Sequence, residues 1–600
     1  MIPSFLYNPE IYKSNNYLVI DLETTNKDKG DAGNAENYIV ATVAKYQGHT
    51  HRIRSSSVPD YIISMCEEAD FIVAHNSKFE MKWLKRNGLD LTKVLAWDTM
   101  LAEYVRYGNK APALDLDSTA QRYNVGGKLN FISYLLKKGV CPSEMPFSIL
   151  GRYCEQDVHI TEQIFLNQRE YIYANDLHKV LHTRNITTPF LADVEGNGMF
   201  IDEDRVRPII EKKTKEFNDL ESRIIHMMGG GNPGSTKQLS EFVYETLGFD
   251  VPKDYKGDEI RTPKGALSTS ADALKELKPK NKKQKEFLEL YIEYNNINQL
   301  FSKTLNKLAA MLEAGENILY ADFNQAVTQT HRLSSTGKKY RIQFQNFPRE
   351  LKPIFKARNY GWKIGEADQA QLEFRVAAFL GNDIRAIDDI INDFDVHKFS
   401  ASELHNCSMD EVTKGMRQTA KADTFKPLYG GTSGTTGQKR YYKAFRKRYS
   451  DITDTQNRWI QEVLHTKQLV LPTGFKFYWP DTKMKASGYI TNTQNICNYP
   501  VQHFATADIV PIAVVHQWHR MKAANMSSFI INTIHDSSIS EVQPEEEEQY
   551  EEIARQAYTD DVYTYLDVVY GIEFNVPLEA EVETDRNWAD NPTFIEKWLT

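Results

Sequence analysis

The residues best suited to metal chemistry are two aspartates that lie far apart in the sequence. Asp368 follows an alternating apolar run that contains Trp362 and Ile364, so we expect it to close a β-strand. Asp536 lies in FIINTIHDSSISEV, whose two strand-like halves meet at His535-Asp536, and a hairpin would hold it at the tip. Carboxylate oxygens are hard ligands that suit Mg²⁺, so the pair could share metal. Taken alone, Asp368 is better explained as the N-cap of the helical pattern that follows it, because aspartate is favoured there.

A second pattern indicates a helix with a cationic and aromatic face. Arg417, Lys421, Phe425 and Tyr429 follow one another at intervals of four residues, a spacing that keeps side chains on one face of an α-helix. Pro427 falls inside the run and predicts a kink, because proline lacks the N–H that a helix interior uses.

A second set of acidic residues lies in the first part of the chain. Asp21 and Glu23 end the apolar stretch YLVIDLE, and the period of a strand puts both carboxylates on the same side. They repel each other unless a cation lies between them, although an edge strand with a solvated face could also carry them. Glu80 falls in a helical pattern further on, and Tyr153 and Asp157 are one helical turn apart.

Composition restricts the class of protein. A chain of 600 residues exceeds one hydrophobic core, so several domains are expected. The formal charge of −9 argues against a uniformly basic surface but leaves room for a basic channel. The five cysteines are scattered and form no C-x-x-C pair, which predicts neither a zinc site nor a disulfide framework. We find no signal peptide and no run of membrane-spanning length, and expect a cytoplasmic protein without a membrane partner.

Three of these stretches, in this order, resemble motifs A, B and C of the family A DNA polymerases. The matching residues are Asp368, Gln371, Glu373 and Arg375 for motif A, Arg417, Lys421, Phe425, Tyr429 and Gly430 for motif B, and His535 and Asp536 for motif C. Motif C usually continues with an acidic residue, and this chain has Ser537 there. The N-terminal residues resemble the DEDD-type 3′–5′ exonucleases, in the branch that uses tyrosine. That family usually has aspartate where this chain has Glu80; glutamate keeps the charge, so we expect activity to survive.

The resemblance implies an α/β multidomain protein, in which a ribonuclease-H-like exonuclease domain precedes a right-hand polymerase domain. The expected boundaries are 1–180 for the exonuclease domain and 181–600 for the polymerase domain, with a thumb at about 203–320, a palm at about 321–382 and 481–600, and fingers at about 383–480. The lysine-rich stretch 275–285 would belong to the thumb and grip the duplex, or is simply a solvated loop. The stretch 438–449 interleaves basic and aromatic residues; it resembles a single-strand-binding surface, or is a helix whose aromatic rings point inward.

The same resemblance assigns roles to individual residues. Asp368, Asp536 and the main-chain carbonyl of Gln369 would bind two Mg²⁺, with Lys421 as a further catalytic residue. The implied substrate-binding residues are Arg332, Gln371, Glu373, Arg417, Phe425, Tyr429, Asn498, Gln502 and His535. At the exonuclease site, Asp21, Glu23 and Asp157 would hold two further Mg²⁺, with Glu80 supporting one and Tyr153 orienting the attacking water. Mn²⁺ could substitute for Mg²⁺.

The function implied is a template-directed DNA polymerase that adds dNTPs to a primer 3′ end and proofreads with its exonuclease. The compact organisation favours a phage replicative enzyme, whose partners would be primer–template DNA, dNTPs, a helicase-primase and a single-strand-binding protein. Two other classes stay open. One is an exoribonuclease-like enzyme with an inactive polymerase-like region, and the other is a catalytically dead DNA-binding scaffold. Motifs A to C argue against the first, and the metal carboxylates that a dead scaffold would lack are present.

Overall fold

The computed structural model describes residues 2–126, 130–253, 258–262, 265–590 and 594. The chain divides into two compact units, each assembled from segments that are distant in sequence. The first unit comprises Met1–Met199, Tyr320–Lys339 and Ala357–Arg586, and the second comprises Phe200–Leu319, Tyr340–Lys356 and Asn587–Thr600.

The N-terminal part of the first unit is built on a five-stranded mixed sheet with the strand order β3-β2-β1-β4-β5. Its strands are β1 Tyr17–Thr24, β2 Ile39–Tyr46, β3 His49–Ile53, β4 Phe71–Ala74 and β5 Ala96–Asp98. Its helices are α1 Asp60–Glu68, α2 Lys78–Arg86, α3 Thr99–Tyr107, α4 Leu116–Tyr123, α5 Asn130–Lys137, α6 Phe147–Ala174 and α7 His178–Val194. Strand β1 pairs antiparallel with β2 and parallel with β4. Its apolar residues are buried and Asp21 and Glu23 are half-buried, as the alternation predicts.

The second unit is mainly helical. Its elements are β6 Met199–Ile201, α8 Glu203–Met227, α9 Thr236–Ser240, α10 Ala271–Lys275, α11 Lys282–Leu300, α12 Asn306–Glu313 and β7 Ile318–Leu319. Helices α8 and α11 pack together through the stacked rings of Phe217 and Tyr294, whose centroids are 5.4 Å apart. All lysines of the stretch 275–285 are exposed, which both interpretations of that stretch require.

The rest of the first unit contains a four-stranded antiparallel sheet with the order β14-β15-β11-β16. The remaining strands of the chain are β8 Phe323–Asn324, β9 Ser334–Ser335, β10 Phe355–Lys356, β11 Lys363–Gln369, β12 Gln468–Val470, β13 Lys476–Tyr478, β14 Phe529–Ile534, β15 Ser537–Val542 and β16 Ala580–Asp585. The helices are α13 Leu372–Gly381, α14 Ile384–Ile391, α15 Val396–His405, α16 Lys414–Thr424, α17 Thr436–Arg448, α18 Ser450–Thr466, α19 Thr493–His503, α20 Val510–Ala523, α21 Glu547–Tyr558 and α22 Asp560–Tyr565.

One sequence prediction fails at helix α16. Four side chains were expected along one α-helical face, but the helix ends at Thr424 and Lys426–Tyr429 forms a 3₁₀ turn. Pro427 explains the early end, because it has no N–H to donate and its ring disfavours a helical conformation in the residue before it. The α-helix therefore carries only the two cations of the pattern, and Phe425 caps its C-terminus.

Helix α17 decides between the two interpretations of the stretch 438–449. Tyr441, Tyr442 and Phe445 are buried, with at most 2% of each side chain exposed. Their rings pack inward and leave no aromatic surface there for stacking bases, so the inward-facing alternative is correct. Across the part of the chain that the structure describes, every helix is too short or too polar to span a bilayer.

Candidate active sites

The first candidate site is built where β11 meets the β14–β15 hairpin. Asp368 lies near the end of β11, opposite Ser537 on β15 and Glu581 on β16. His535 and Asp536 form the two-residue turn of the hairpin, and His535 has the positive φ of 57° that such turns use. The side chains of Asp368 and Asp536 lie close together, so that each acts on the pKa of the other. The predicted strand end and hairpin tip thus bring the two aspartates together.

The electrostatics of this pair fit a divalent cation. Burial and then the neighbouring charges of Asp536, Glu366 and Glu581 raise the pKa of Asp368 to about 8. Burial likewise raises the pKa of Asp536, while Arg332 lowers it. The Oδ1 atom of Asp368 is buried without a hydrogen-bond partner among the described residues. Oxygen ligands that repel one another and lack donors are the environment in which Mg²⁺ binds.

Gln369 follows the same strand but turns its side chain into the core. Its amide nitrogen donates a hydrogen bond of 2.7 Å to the carbonyl of Tyr558, and 1% of the residue is exposed. A main-chain carbonyl ligand from Gln369, which the resemblance implies, stays a prediction.

Four of the predicted substrate-binding residues form two contacts beside the aspartates. The hydroxyl of Tyr429 donates to the Glu373 carboxylate, and the guanidinium of Arg332 donates to Nδ1 of His535. Burial raises the pKa of Glu373 to about 7, with a lowering contribution from Arg332 and a raising one from Asp536. Glu373 and Tyr429 thus close one side of the space next to the carboxylates.

The two cations of α16 lie in different surroundings. Arg417 donates from Nε to Oδ2 of Asp395 at 2.7 Å, whereas Lys421 is exposed. His397, which the sequence patterns did not single out, belongs to this face. Burial and then the charges of Arg417 and Lys421 lower its pKa, and its ring lies 5.5 Å from that of Phe425. No local spacing pattern indicated this histidine, because it comes from α15.

The remaining predicted contacts lie on two further helices. Gln371 precedes α13 with a φ of 51° and is exposed. Asn498 and Gln502 are one turn apart on α19, and both are partly exposed. Among the described residues, Oδ1 of Asn498 is buried without a hydrogen-bond partner.

The second candidate site joins β1 to α6. Ligand atoms of Asp21, Glu23 and Asp157 all lie within 4.8 Å of one another. The strand supplies two of them on one face, and the helix supplies the third. Three carboxylates at this separation suit a metal site, because a divalent cation offsets their mutual repulsion.

Glu80 lies near this cluster, and Tyr153 lies one helical turn before Asp157 on α6. Glu80 is only 4% exposed, and burial followed by the charge of Asp21 raises its pKa well above the ordinary value. It is not one of the three residues whose ligand atoms lie within 4.8 Å of one another. The ring of Tyr153 is buried in a small apolar cluster that includes Leu150.

Cys154 is a neighbour that the sequence did not reveal. Its Sγ donates to Oδ2 of Asp21 at 2.9 Å, and burial and then the same carboxylate raise the pKa of the thiol well above its usual range. The feature of the sequence that could have indicated this contact is the position of Cys154 next to Tyr153, because α6 turns both residues toward the sheet.

Comparison with known proteins gives two family matches. The family model described as DNA polymerase family A matches residues 203–590, and the model described as 3′-5′ exonuclease matches residues 7–170. Domains of both families are generally metal-dependent.

Curated relatives and a solved structure agree with these matches. DNA polymerase I of Borreliella burgdorferi is 26% identical, covering 97% of this chain and 63% of the relative. DNA polymerase I of Bacillus subtilis is 26% identical, covering 86% and 57%, and the DNA polymerase of Bacillus phage SP01 is 25% identical, covering 87% and 63%. The chain thus spans less than two thirds of the length of these relatives.

The fold is shared with a structure described as the POL domain of Pol1 from M. smegmatis in complex with DNA primer-template and dNTP. The TM-score is 0.77 at 21% identity, over 98% of this chain and 99% of the other. Because the polymerase model matches more than half of the chain, the protein is a member of the family A DNA polymerases, with a 3′–5′ exonuclease domain ahead of its polymerase domain.

Proposed function

We propose that the protein is a template-directed DNA polymerase that adds dNTPs to a primer 3′ end and proofreads with its 3′–5′ exonuclease. The observation that carries this proposal is the position of Asp368 on β11 close to Asp536, which lies in the turn that leads into the adjoining strand β15. Two Mg²⁺ held there, with the Gln369 carbonyl as a further ligand, would activate the primer hydroxyl and neutralise charge on the leaving pyrophosphate.

The cations of α16 bind the incoming nucleotide. Arg417 exchanges Asp395 for the triphosphate, and Lys421, which faces solvent, offsets the charge that develops on the leaving group. Asp395 in the meantime holds the Arg417 guanidinium in place, so less side-chain freedom is lost when the nucleotide binds.

Nucleotide selection falls to the residues beside the aspartates. Glu373, held by Tyr429, blocks the space that a ribose 2′-OH would need, and Phe425 packs against the sugar. Arg332 and His535 act as one contact to the primer terminus. Gln371, Asn498 and Gln502 would hydrogen-bond the duplex next to it.

At the exonuclease site, Asp21, Glu23 and Asp157 hold the metal ions, and Glu80 adds negative charge from its buried position. Tyr153 orients the water that attacks the terminal phosphodiester. A mispaired primer end melts more easily, and so it reaches this site as a single strand.

Several finer points belong to the same proposal. The domain boundaries stated from the sequence and a DNA-gripping thumb within residues 203–320 are part of it. A phage replicative role is supported by the relative from Bacillus phage SP01. A helicase-primase and a single-strand-binding protein would be partners, and the cytoplasm would be the place of action.

Primer extension with the four dNTPs and Mg²⁺ tests the proposal on wild type, Asp368→Ala and Asp21→Ala. We expect extension by wild type and Asp21→Ala alone, and degradation of single-stranded DNA by wild type and Asp368→Ala alone. An exoribonuclease-like enzyme would degrade RNA and never extend a primer. A dead scaffold would bind DNA without either reaction.

A further inference from the structure

We propose that Glu366 is a third carboxylate of the polymerase centre and helps Asp368 and Asp536 to hold its metal ions. This inference rests on the proposed polymerase function. Glu366 precedes Asp368 by two residues on β11, so the alternation of a strand places both side chains on one face of the sheet.

The contacts of Glu366 direct its carboxylate toward the catalytic pair. The hydroxyl of Ser537, which lies opposite Asp368 and next to Asp536, donates to Oε1 of Glu366 at 3.3 Å. The charge of Glu366 contributes to the raised pKa of both aspartates. Glu366 thus lies within electrostatic reach of both ligands and is held there by a neighbour of one of them.

Glu541, a buried carboxylate of the same sheet, is an example of a structural role. Glu541, on β15, is fully buried and forms a salt bridge of 2.7 Å with Arg358. Its charge is neutralised within the protein, as expected of a group that serves stability. Glu366 adds its charge to those of the two aspartates, and a bound cation would offset this repulsion.

The residue at position 537 indicates where the Glu366 carboxylate lies relative to the motif C pattern. The sequence departs from the motif C pattern there, with Ser537 in place of an acidic residue. Because the Ser537 hydroxyl touches the Glu366 carboxylate, side chains at the two positions enter the same space. A carboxylate placed at position 537 would therefore reach the space that the Glu366 carboxylate now occupies.

The test compares Glu366→Gln, Glu366→Ser and the double variant Glu366→Ser/Ser537→Glu, all in the Asp21→Ala background that removes the exonuclease. Glu583→Gln is the matched control. Glu583 is opposite Glu366 on β16 and exposed, and does not figure among the charges that raise the pKa of Asp368. Binding of Mn²⁺ alone is followed by electron paramagnetic resonance, and the Mg²⁺ dependence by primer extension.

We expect Glu366→Gln and Glu366→Ser to weaken Mn²⁺ binding and to raise the Mg²⁺ concentration for half-maximal extension, each by about 10-fold. The double variant should recover most of both losses, and Glu583→Gln should match the background. In EDTA, Glu366→Gln should melt at a higher temperature than the background, because one repelling charge is gone.

Unchanged Mn²⁺ binding in Glu366→Gln would overturn the inference. A lower melting temperature of this variant in EDTA would also overturn it, because loss of a structural contact lowers the melting temperature. A double variant no better than Glu366→Ser would overturn it too. These failures differ from failure of the proposed function, in which the Asp21→Ala background with Glu366 intact would not extend a primer at all.

Discussion

The two carboxylate centres of this protein differ in what surrounds the residues proposed to bind metal. At the exonuclease centre, three carboxylates lie within 4.8 Å of one another and the thiol of Cys154 donates to one of them. At the polymerase centre, two aspartates meet and further acids, Glu366 and Glu581, add their charge. The exonuclease centre is therefore a close group of three carboxylates with a neutral hydrogen-bond donor. The polymerase centre is a pair of aspartates near two further negative charges.

The difference corresponds to the substrates that each centre is proposed to handle. A polymerase receives a triphosphate whose oxygens are ligands themselves, so the substrate supplies part of the metal coordination. The cations proposed to bind that triphosphate come from a separate element, α16. A nuclease receives a single phosphodiester and must supply more of the coordination from its own side chains.

The largest expected effect is that of Asp368→Ala, which tests whether the two centres act independently. With half of the aspartate pair gone, we expect primer extension to fall by about 10³-fold or more, since a catalytic metal ion contributes several kcal/mol. Degradation of single-stranded DNA should continue at the wild-type rate. Gel-based extension and degradation assays on one preparation measure both, and a loss of both activities would contradict two independent centres.

Asp157→Ala is the reciprocal change. Removing one of three clustered carboxylates should lower exonuclease activity by about 10²-fold, and extension of a matched primer should be unaffected. Degradation of a mispaired primer end is the measurement, with Asp368→Ala as the opposite control. An exonuclease rate within a few-fold of wild type would show that Asp157 is not a ligand.

Glu373→Ala tests whether the polymerase centre excludes ribonucleotides through this side chain. The buried Glu373 side chain, held by Tyr429, is expected to exclude a 2′-OH, and its removal should raise the ratio of ribonucleotide to deoxynucleotide insertion by about 10-fold or more. Single-nucleotide insertion kinetics give this ratio. The gate is refuted if ribonucleotide use stays unchanged.

The crowding of acids at the polymerase centre should be visible in the pH dependence of stability. The folded protein holds Asp368 at a pKa of about 8, above the ordinary value for aspartate, so between about pH 4 and pH 8 it binds more protons than the unfolded chain. In EDTA, its stability should therefore fall as the pH rises through that window.

Asp368→Asn should remove part of this fall and gain about 1 °C or more in melting temperature at pH 8. Added Mg²⁺ should stabilise wild type and not the variant. Thermal melts at pH 5 and pH 8 test this, and equal slopes for the two proteins would be the contrary result.

The smallest expected effect is that of Glu80→Asp. Glu80 is buried outside the group of three close ligands, so shortening it by one methylene should change the exonuclease rate by less than about 5-fold, a difference of about 1 kcal/mol. Degradation kinetics at several Mg²⁺ concentrations measure it. A larger loss would place Glu80 among the ligands themselves.

Local patterns in the chain are enough to predict which carboxylates share a face and which segments carry them. Strand alternation placed Asp21 beside Glu23, and the position of Asp536 between two strand-like halves predicted the hairpin tip. Those patterns are local, because they depend on the two-residue period of a strand and on turn geometry.

The residues that contact those groups follow from long-range packing. The register of β11 against β15 and β16 brings Ser537 and Glu581 to Asp368, packing of α6 on the sheet brings Cys154 to Asp21, and α15 brings His397 to the cations of α16. Strand register and helix packing join segments that are far apart in sequence, so no local spacing encodes them. The same holds for Glu366, whose place on a strand could be read from the chain but whose neighbours could not.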